Sequence, residues 1–144
     1  MIGIFDSGVG GLYALHEARR HMPQADFIYF ADEANLPYGD KDPQAILRLS
    51  RLAVRRLRDA GATAILAACG TVGSVALADL QKEFPSLPIS GILDPLAGAT
   101  ALAHRLRGGG ILLLGTRATV KAGVLEAKIR HLATHAPLFS NQKN

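Results

Sequence analysis

The chain has 144 residues, 49% of them apolar, which suits one ordinary domain with a packed core. It has no run of about 18 uninterrupted apolar residues to span a bilayer. The N-terminus enters a strand-like segment without a basic region or cleavage site, so a cytoplasmic protein with no membrane partner is expected. One cysteine excludes an internal disulfide; its thiol is either a buried small hydrophobe or a reactive group in a reducing compartment.

Short apolar runs alternate with longer stretches of helical period, which predicts repeated strand-helix units and an α/β fold with a parallel sheet. The first strand, MIGIF at 1–5, leads into Asp6-Ser7-Gly8, the turn Val9-Gly10-Gly11 and a helix over about 10–21. A second strand is expected at 26–30. The second helix runs from Pro43 to Asp59, with Asp42 as N-cap, Pro43 at the first helical position and Gly61 just beyond the end. Arg48, Arg51, Arg55, Arg56 and Arg58 share it with Ile46, Leu49, Ala53 and Leu57, whose spacing marks the inward face. These arginines supply much of the net charge of +4. Without aromatic interleaving or a recognition motif they read as a solvated face that attracts anionic substrates, and no nucleic-acid partner is expected.

A third strand, TAILAA at 63–68, delivers Cys69-Gly70-Thr71 to a helix over 72–84. A ragged strand at 88–92, a helix at 95–107, a strand at 111–114 and a helix at 117–132 complete the pattern, with the triple glycine at 108–110 as its most flexible junction. The last stretch, HAPLFSNQKN at 135–144, begins like another strand and stops. A parallel sheet ending there leaves an edge and an apolar helix face uncovered, so homo-oligomerisation or other association through that face is expected.

Ligands of open parallel sheets bind beyond the carboxyl ends of the strands, where Asp6-Ser7-Gly8 and Cys69-Gly70-Thr71 both fall. Gly8, Gly10 and Gly11 suggest a phosphate loop, but Tyr13 stands where G-x-G-x-x-G needs its last glycine and no G-K-[ST] follows. A tight strand-to-helix turn explains them instead. His131 and His135 have metal-ligand spacing, yet Leu132 replaces the glutamate of the zinc motif, and no metal is expected. A thiol at a helix N-terminus is readily ionised. None of His16, His21, His104, His131 or His135 lies in a strand-end loop to activate Cys69 as a nucleophile. Proton abstraction needs only a positioning carboxylate or hydroxyl, which Asp6 and Ser7 supply. A purely structural Cys69 is the alternative.

Four segments resemble the glutamate racemase family, within the aspartate/glutamate racemase superfamily: IGIFDSGVGGL at 2–12, YFADEANLPYGDK at 29–41, ILAACGTVGS at 65–74 and GTRATVKAGV at 115–124. They stand in the family's order and at its usual separations, and the resemblance extends to about Leu138 or Phe139. It implies a three-layer parallel-sheet domain of the Asp/Glu racemase type over 1–93. Residues 94–144 would be a crossover helix and the first strand-helix unit of a second, similar domain that is truncated.

The activity implied is a two-base interconversion of L- and D-glutamate for peptidoglycan synthesis, with no cofactor, pyridoxal or metal. One cysteine removes the α proton on one face and a second protonates the other. By this resemblance Cys69 is the thiol acting on the D-enantiomer, Asp6 assists its proton transfers and Ser7 holds the substrate. Tyr38, Gly39, Thr71 and Thr119 would contact the substrate, as would the residue at Gly70. Two departures stand out: Gly70 replaces the family's asparagine, and the chain lacks a second cysteine followed by threonine and histidine. The chain is therefore expected to be inactive or half-active alone. A non-catalytic amino-acid-binding module of the same fold and a racemase for aspartate or another acidic amino acid are the rival readings. The D-S-G-V-G-G and P-Y-G-D-K segments favour glutamate.

Overall fold

A computed structural model describes residues 1–141. Strands β1 (Ile2–Asp6), β2 (Phe27–Ala31), β3 (Ala64–Ala67) and β4 (Ile89–Gly91) form one parallel sheet in the order β2-β1-β3-β4. Helix α1 (Gly11–His21) links β1 to β2, and α2 (Pro43–Asp59) leads to β3. The short helices α3 (Gly70–Val75) and α4 (Leu77–Glu83) lead on to β4. The main core lies between this sheet and α2 to α4, where Phe5, Ile46, Val54, Val72 and Leu80 are fully buried.

Helix α2 begins as its sequence dictates. The Asp42 side chain accepts from the Ala45 N–H at 2.9 Å, and Pro43 occupies the first turn. Its apolar face sits close on β1: a Cβ at Gly3 would lie 3.1 Å from the Ala62 Cβ and 3.2 Å from Leu57. The outward arginines are largely engaged with the protein itself. Arg51 and Arg55 pair with Glu83 of α4, Arg58 pairs with Asp59, and Arg56 lies over the Phe30 ring at 5.3 Å.

Helix α5 (Leu93–Arg107) leads to β5 (Ile111–Leu113), then α6 (Arg117–Ala122), α7 (Val124–Leu132) and β6 (Leu138–Ser140). β5 and β6 form a separate two-stranded parallel sheet, and Leu93, Ala97, Leu113, Leu125 and Ile129 make a second core. The strand alternation shows which face of this sheet is covered: Leu113 is buried, whereas Leu112, Leu114 and Phe139 are 63%, 72% and 59% exposed.

Three boundaries differ from the sequence pattern. The helix read over 72–84 starts at Gly70 and breaks at Ala76 (φ −122°, ψ −18°), because the turn GTVGSV, with two glycines and two valines, is a poor helix former. The helix read over 117–132 breaks at Gly123, whose φ of +68° ends α6 in the left-handed conformation that glycine adopts without strain. Helix α5 starts two residues early, at Leu93. The strand-like start of the last stretch is β6; residues 142–144 lie outside the described ones.

Candidate active site at the carboxyl ends of the central strands

β1 and β3 are neighbours at the centre of the sheet, with Phe5 opposite Ala67 in register. Their carboxyl ends therefore release Asp6-Ser7 and Ala68-Cys69 side by side. The Ser7 Oγ lies 3.3 Å from the Cys69 Sγ, a contact in which either atom can donate. Cys69 is the N-cap of α3 in extended conformation; its carbonyl accepts from the Gly73 N–H, and its side chain makes no capping bond. The thiol is 5% exposed and Asp6 7% exposed, so both sit at the bottom of the site.

Asp6 is held by the start of α1. Its Oδ2 accepts from the Gly11 N–H at 2.9 Å, where the helix N-terminus favours negative charge. Gly11 is required by close approach: a Cβ there would lie 2.8 Å from the Asp6 Cβ, 2.9 Å from the Tyr29 Oη and 3.0 Å from the Ala68 Cβ. The glycine turn thus packs against three neighbouring strands. The Tyr29 hydroxyl donates to the Gly8 carbonyl at 3.1 Å. Burial raises this phenol above its usual range, and the charges of Asp6, Glu33 and Cys69 add to the effect.

The segment between β2 and α2 contains two short 3₁₀ turns, Glu33–Asn35 and Tyr38–Asp40. The Tyr38 ring is 1% exposed, and its hydroxyl donates to Asp32 Oδ2 at 2.6 Å. Asn35 Nδ2 donates to both oxygens of the same carboxylate, at 2.9 and 3.1 Å. Burial, the bond to Asp32 and the charges of Asp32, Cys69 and Asp6 push the Tyr38 phenol far above the ordinary range. Tyr38 therefore anchors its turn with its hydroxyl already engaged. Gly39 packs on the second unit, where an added Cβ would lie 2.5 Å from the Thr116 Cβ.

Thr71, two residues beyond the thiol, meets α6 through a triangle of hydroxyls. Thr71 and Thr116 are 3.1 Å apart, Thr71 and Thr119 3.4 Å, and Thr116 and Thr119 2.9 Å. Thr116 also caps α6 by accepting from the Thr119 N–H at 3.2 Å. Gly70 contrasts with its neighbours: a Cβ there would meet nothing within 4 Å. The structure thus brings Asp6, Ser7 and Cys69 together, joins Thr71 to Thr119, and turns the Tyr38 hydroxyl into the core.

Sequence reasoning passed over Thr116, Tyr29 and Asp32. Only Thr116 carried a local signal, an N-cap threonine ahead of the expected helix. Among the described residues the hydrogen-bond partner of the thiol is a hydroxyl, and no imidazole touches it. Such an arrangement suits proton transfer to and from a carbon acid rather than nucleophilic attack.

Residues 14–142 match the Asp/Glu/Hydantoin racemase family. A glutamate racemase of Roseiflexus sp. is 37% identical over 132 residues, covering 92% of this chain and 47% of the relative. The structure of the glutamate racemase from Aquifex pyrophilus superposes with a TM-score of 0.88 at 36% identity, covering 96% of this chain and 53% of that one. The glutamate racemase of Francisella tularensis in complex with D-glutamate superposes with a TM-score of 0.82 at 29% identity, covering 96% and 51%. The chain spans about half the length of the curated relatives it matches. With the parallel sheet, the strand-end thiol and a match over most of its length, the chain belongs to the Asp/Glu/Hydantoin racemase family.

Proposed function

We propose that this chain supplies one catalytic half-site of a cofactor-independent glutamate racemase, serving peptidoglycan synthesis in the cytoplasm. The observation that carries the reading is the Ser7 Oγ to Cys69 Sγ contact of 3.3 Å at the paired ends of β1 and β3. The names of the similar proteins and the D-glutamate in the Francisella tularensis structure support the substrate class.

In this reading the Cys69 thiolate, accepting the Ser7 hydroxyl proton in a hydrogen bond, removes the α proton of D-glutamate. The C–H electron pair stays on the substrate and delocalises into its carboxylate, while the sulfur becomes a thiol. Backbone donors around Gly39 and Gly70 and the hydroxyls of Thr71 and Thr119 hold that developing charge. Asp6, fixed by the Gly11 N–H, assists the proton transfer. Cys69 returns a proton only to the face from which it came. Inversion needs a second acid on the opposite face, and this chain contains a single cysteine. Gly70 leaves open space beside the thiol where the family's asparagine would hold the substrate, so binding is weaker by about 1 kcal/mol, the net worth of one such hydrogen bond.

The test is to incubate the 144-residue chain with D-glutamate and with L-glutamate in deuterium oxide, following α-deuterium by NMR and optical rotation separately. The expected result is slow exchange of D-glutamate with retained configuration, abolished by Cys69→Ser. Full racemisation refutes the one-base reading, and no exchange of either enantiomer favours an inert amino-acid-binding module.

A further inference from the structure

A second cleft, of about 640 Å³, lies between the segment that follows Gly39, the outer end of α3 and α6, and Cys69 does not line it. Lys41 comes from one wall, and Arg117 and Lys121 come from the other. Arg117 and Lys121 stand at i and i+4 on α6, so their side chains emerge on one side, where like charges destabilise a helix. Among the described residues none of the three cations lies within 4.0 Å of a carboxylate, although Asp40 and Asp42 line the same cleft. Asp42 is already engaged in capping the Ala45 N–H. The adjoining α7 behaves differently: its Lys128 pairs with Asp94 and its Arg130 with Glu126. Pro43, Val75 and Ala118 add apolar lining. Unpaired cations on two facing walls, joined by apolar surface in a volume typical of small-molecule sites, have the make-up of a site for an anion with a small apolar body.

We propose that this cleft binds a phosphate monoester carrying a small apolar group. The two charges and three peripheral oxygens of the phosphate match cations arriving from two walls, whereas a carboxylate presents one charge and two oxygens in one plane. Arg117 and Lys121 take the phosphate from α6 and Lys41 takes it from the facing wall. The apolar group rests on Val75 and Ala118.

The test uses the ¹⁵N-labelled 144-residue chain, titrated with phenyl phosphate, benzoate and inorganic phosphate. Phenyl phosphate is expected to give saturable amide shifts confined to residues 40–42, 74–75 and 117–122. Benzoate, inorganic phosphate and the Arg117→Glu/Lys121→Glu double variant are each expected to bind about tenfold more weakly. Both substitutions are at exposed positions, and a wild-type spectrum outside α6 verifies the fold. Lys41→Met, on the other wall, weakens binding as a second check. Shifts that fail to saturate, or that spread over the arginine face of α2, overturn the proposal. So does benzoate or inorganic phosphate binding as tightly as phenyl phosphate, or affinity unchanged in the double variant.

Discussion

Replacing Gly11 by alanine tests whether the site is held by close packing of the first turn of α1 against three neighbouring strands. Helix propensity alone favours the change by about 1 kcal/mol, and Gly11 does not have a positive φ. Packing opposes it: the new methyl would lie 2.8 Å from the Asp6 Cβ, 2.9 Å from the Tyr29 Oη and 3.0 Å from the Ala68 Cβ. Carbon atoms in good contact are about 3.5 to 4.0 Å apart, so α1 must lift from the sheet by several tenths of an ångström. Overpacking of this kind costs about 1 to 3 kcal/mol, and weakening the charge-assisted bond from the Gly11 N–H to Asp6 adds to it. The expected net loss is about 2 kcal/mol. Gly70→Ala is the matched control, also at a first helical position but with nothing within 4 Å of the added carbon, and should gain about 0.5 kcal/mol. Urea unfolding at unchanged m reads both. A Gly11→Ala chain as stable as the parent would refute the close-packing argument.

Tyr38→Phe leaves the buried Asp32 carboxylate with Asn35 as its remaining side-chain partner and should cost about 1 to 3 kcal/mol in urea unfolding. The strongly raised phenol of Tyr38 keeps its proton in the folded chain while the unfolded chain loses it above about pH 10, and Tyr29 shifts in the same direction. The Tyr38 contribution to stability is therefore fully present below that pH and falls above it by about 1.4 kcal/mol per pH unit; Tyr38→Phe should remove this fall from urea midpoints measured between about pH 9 and 11. Ser50 is fully buried on α2 and its Oγ has no hydrogen-bond partner, so Ser50→Ala should stabilise by about 1 kcal/mol, and a loss in the same assay would contradict this. The exposed face formed by Leu112, Leu114 and Phe139 should drive concentration-dependent self-association in sedimentation, relieved by Leu112→Lys; a monomer at every concentration that binds no hydrophobic dye would count against it.

The strands were legible because each is a short apolar run bounded by turn residues, and β2, β3 and β5 fall within a residue of the expected limits. The helix breaks were harder to see. Gly123 lies in an otherwise periodic stretch, and only its left-handed backbone shows that it ends α6. Tyr38 shows a different limit. It stands in the polar segment Pro-Tyr-Gly-Asp-Lys, yet its ring joins the core and its hydroxyl donates to Asp32, six residues earlier. Local pattern carries no information about such a pairing.

The thiol itself shows where sequence and structure divide the work. Two polar clusters at strand ends can be read from the residues, but their meeting depends on strand order. Ser7 and Cys69 are 62 residues apart and touch because β1 lies beside β3. The kind of chemistry then follows from what surrounds the sulfur. A nucleophilic cysteine requires a base to take its proton and later protonate a leaving group, and an imidazole normally fills that role. Here the immediate partner is a serine hydroxyl, and the nearby carboxylate is pinned by the Gly11 N–H. In the proposed function such a group exchanges one proton with one face of a bound carbon acid, and retained configuration in deuterium oxide is the signature that separates this from either full racemisation or a thiol that merely fills space.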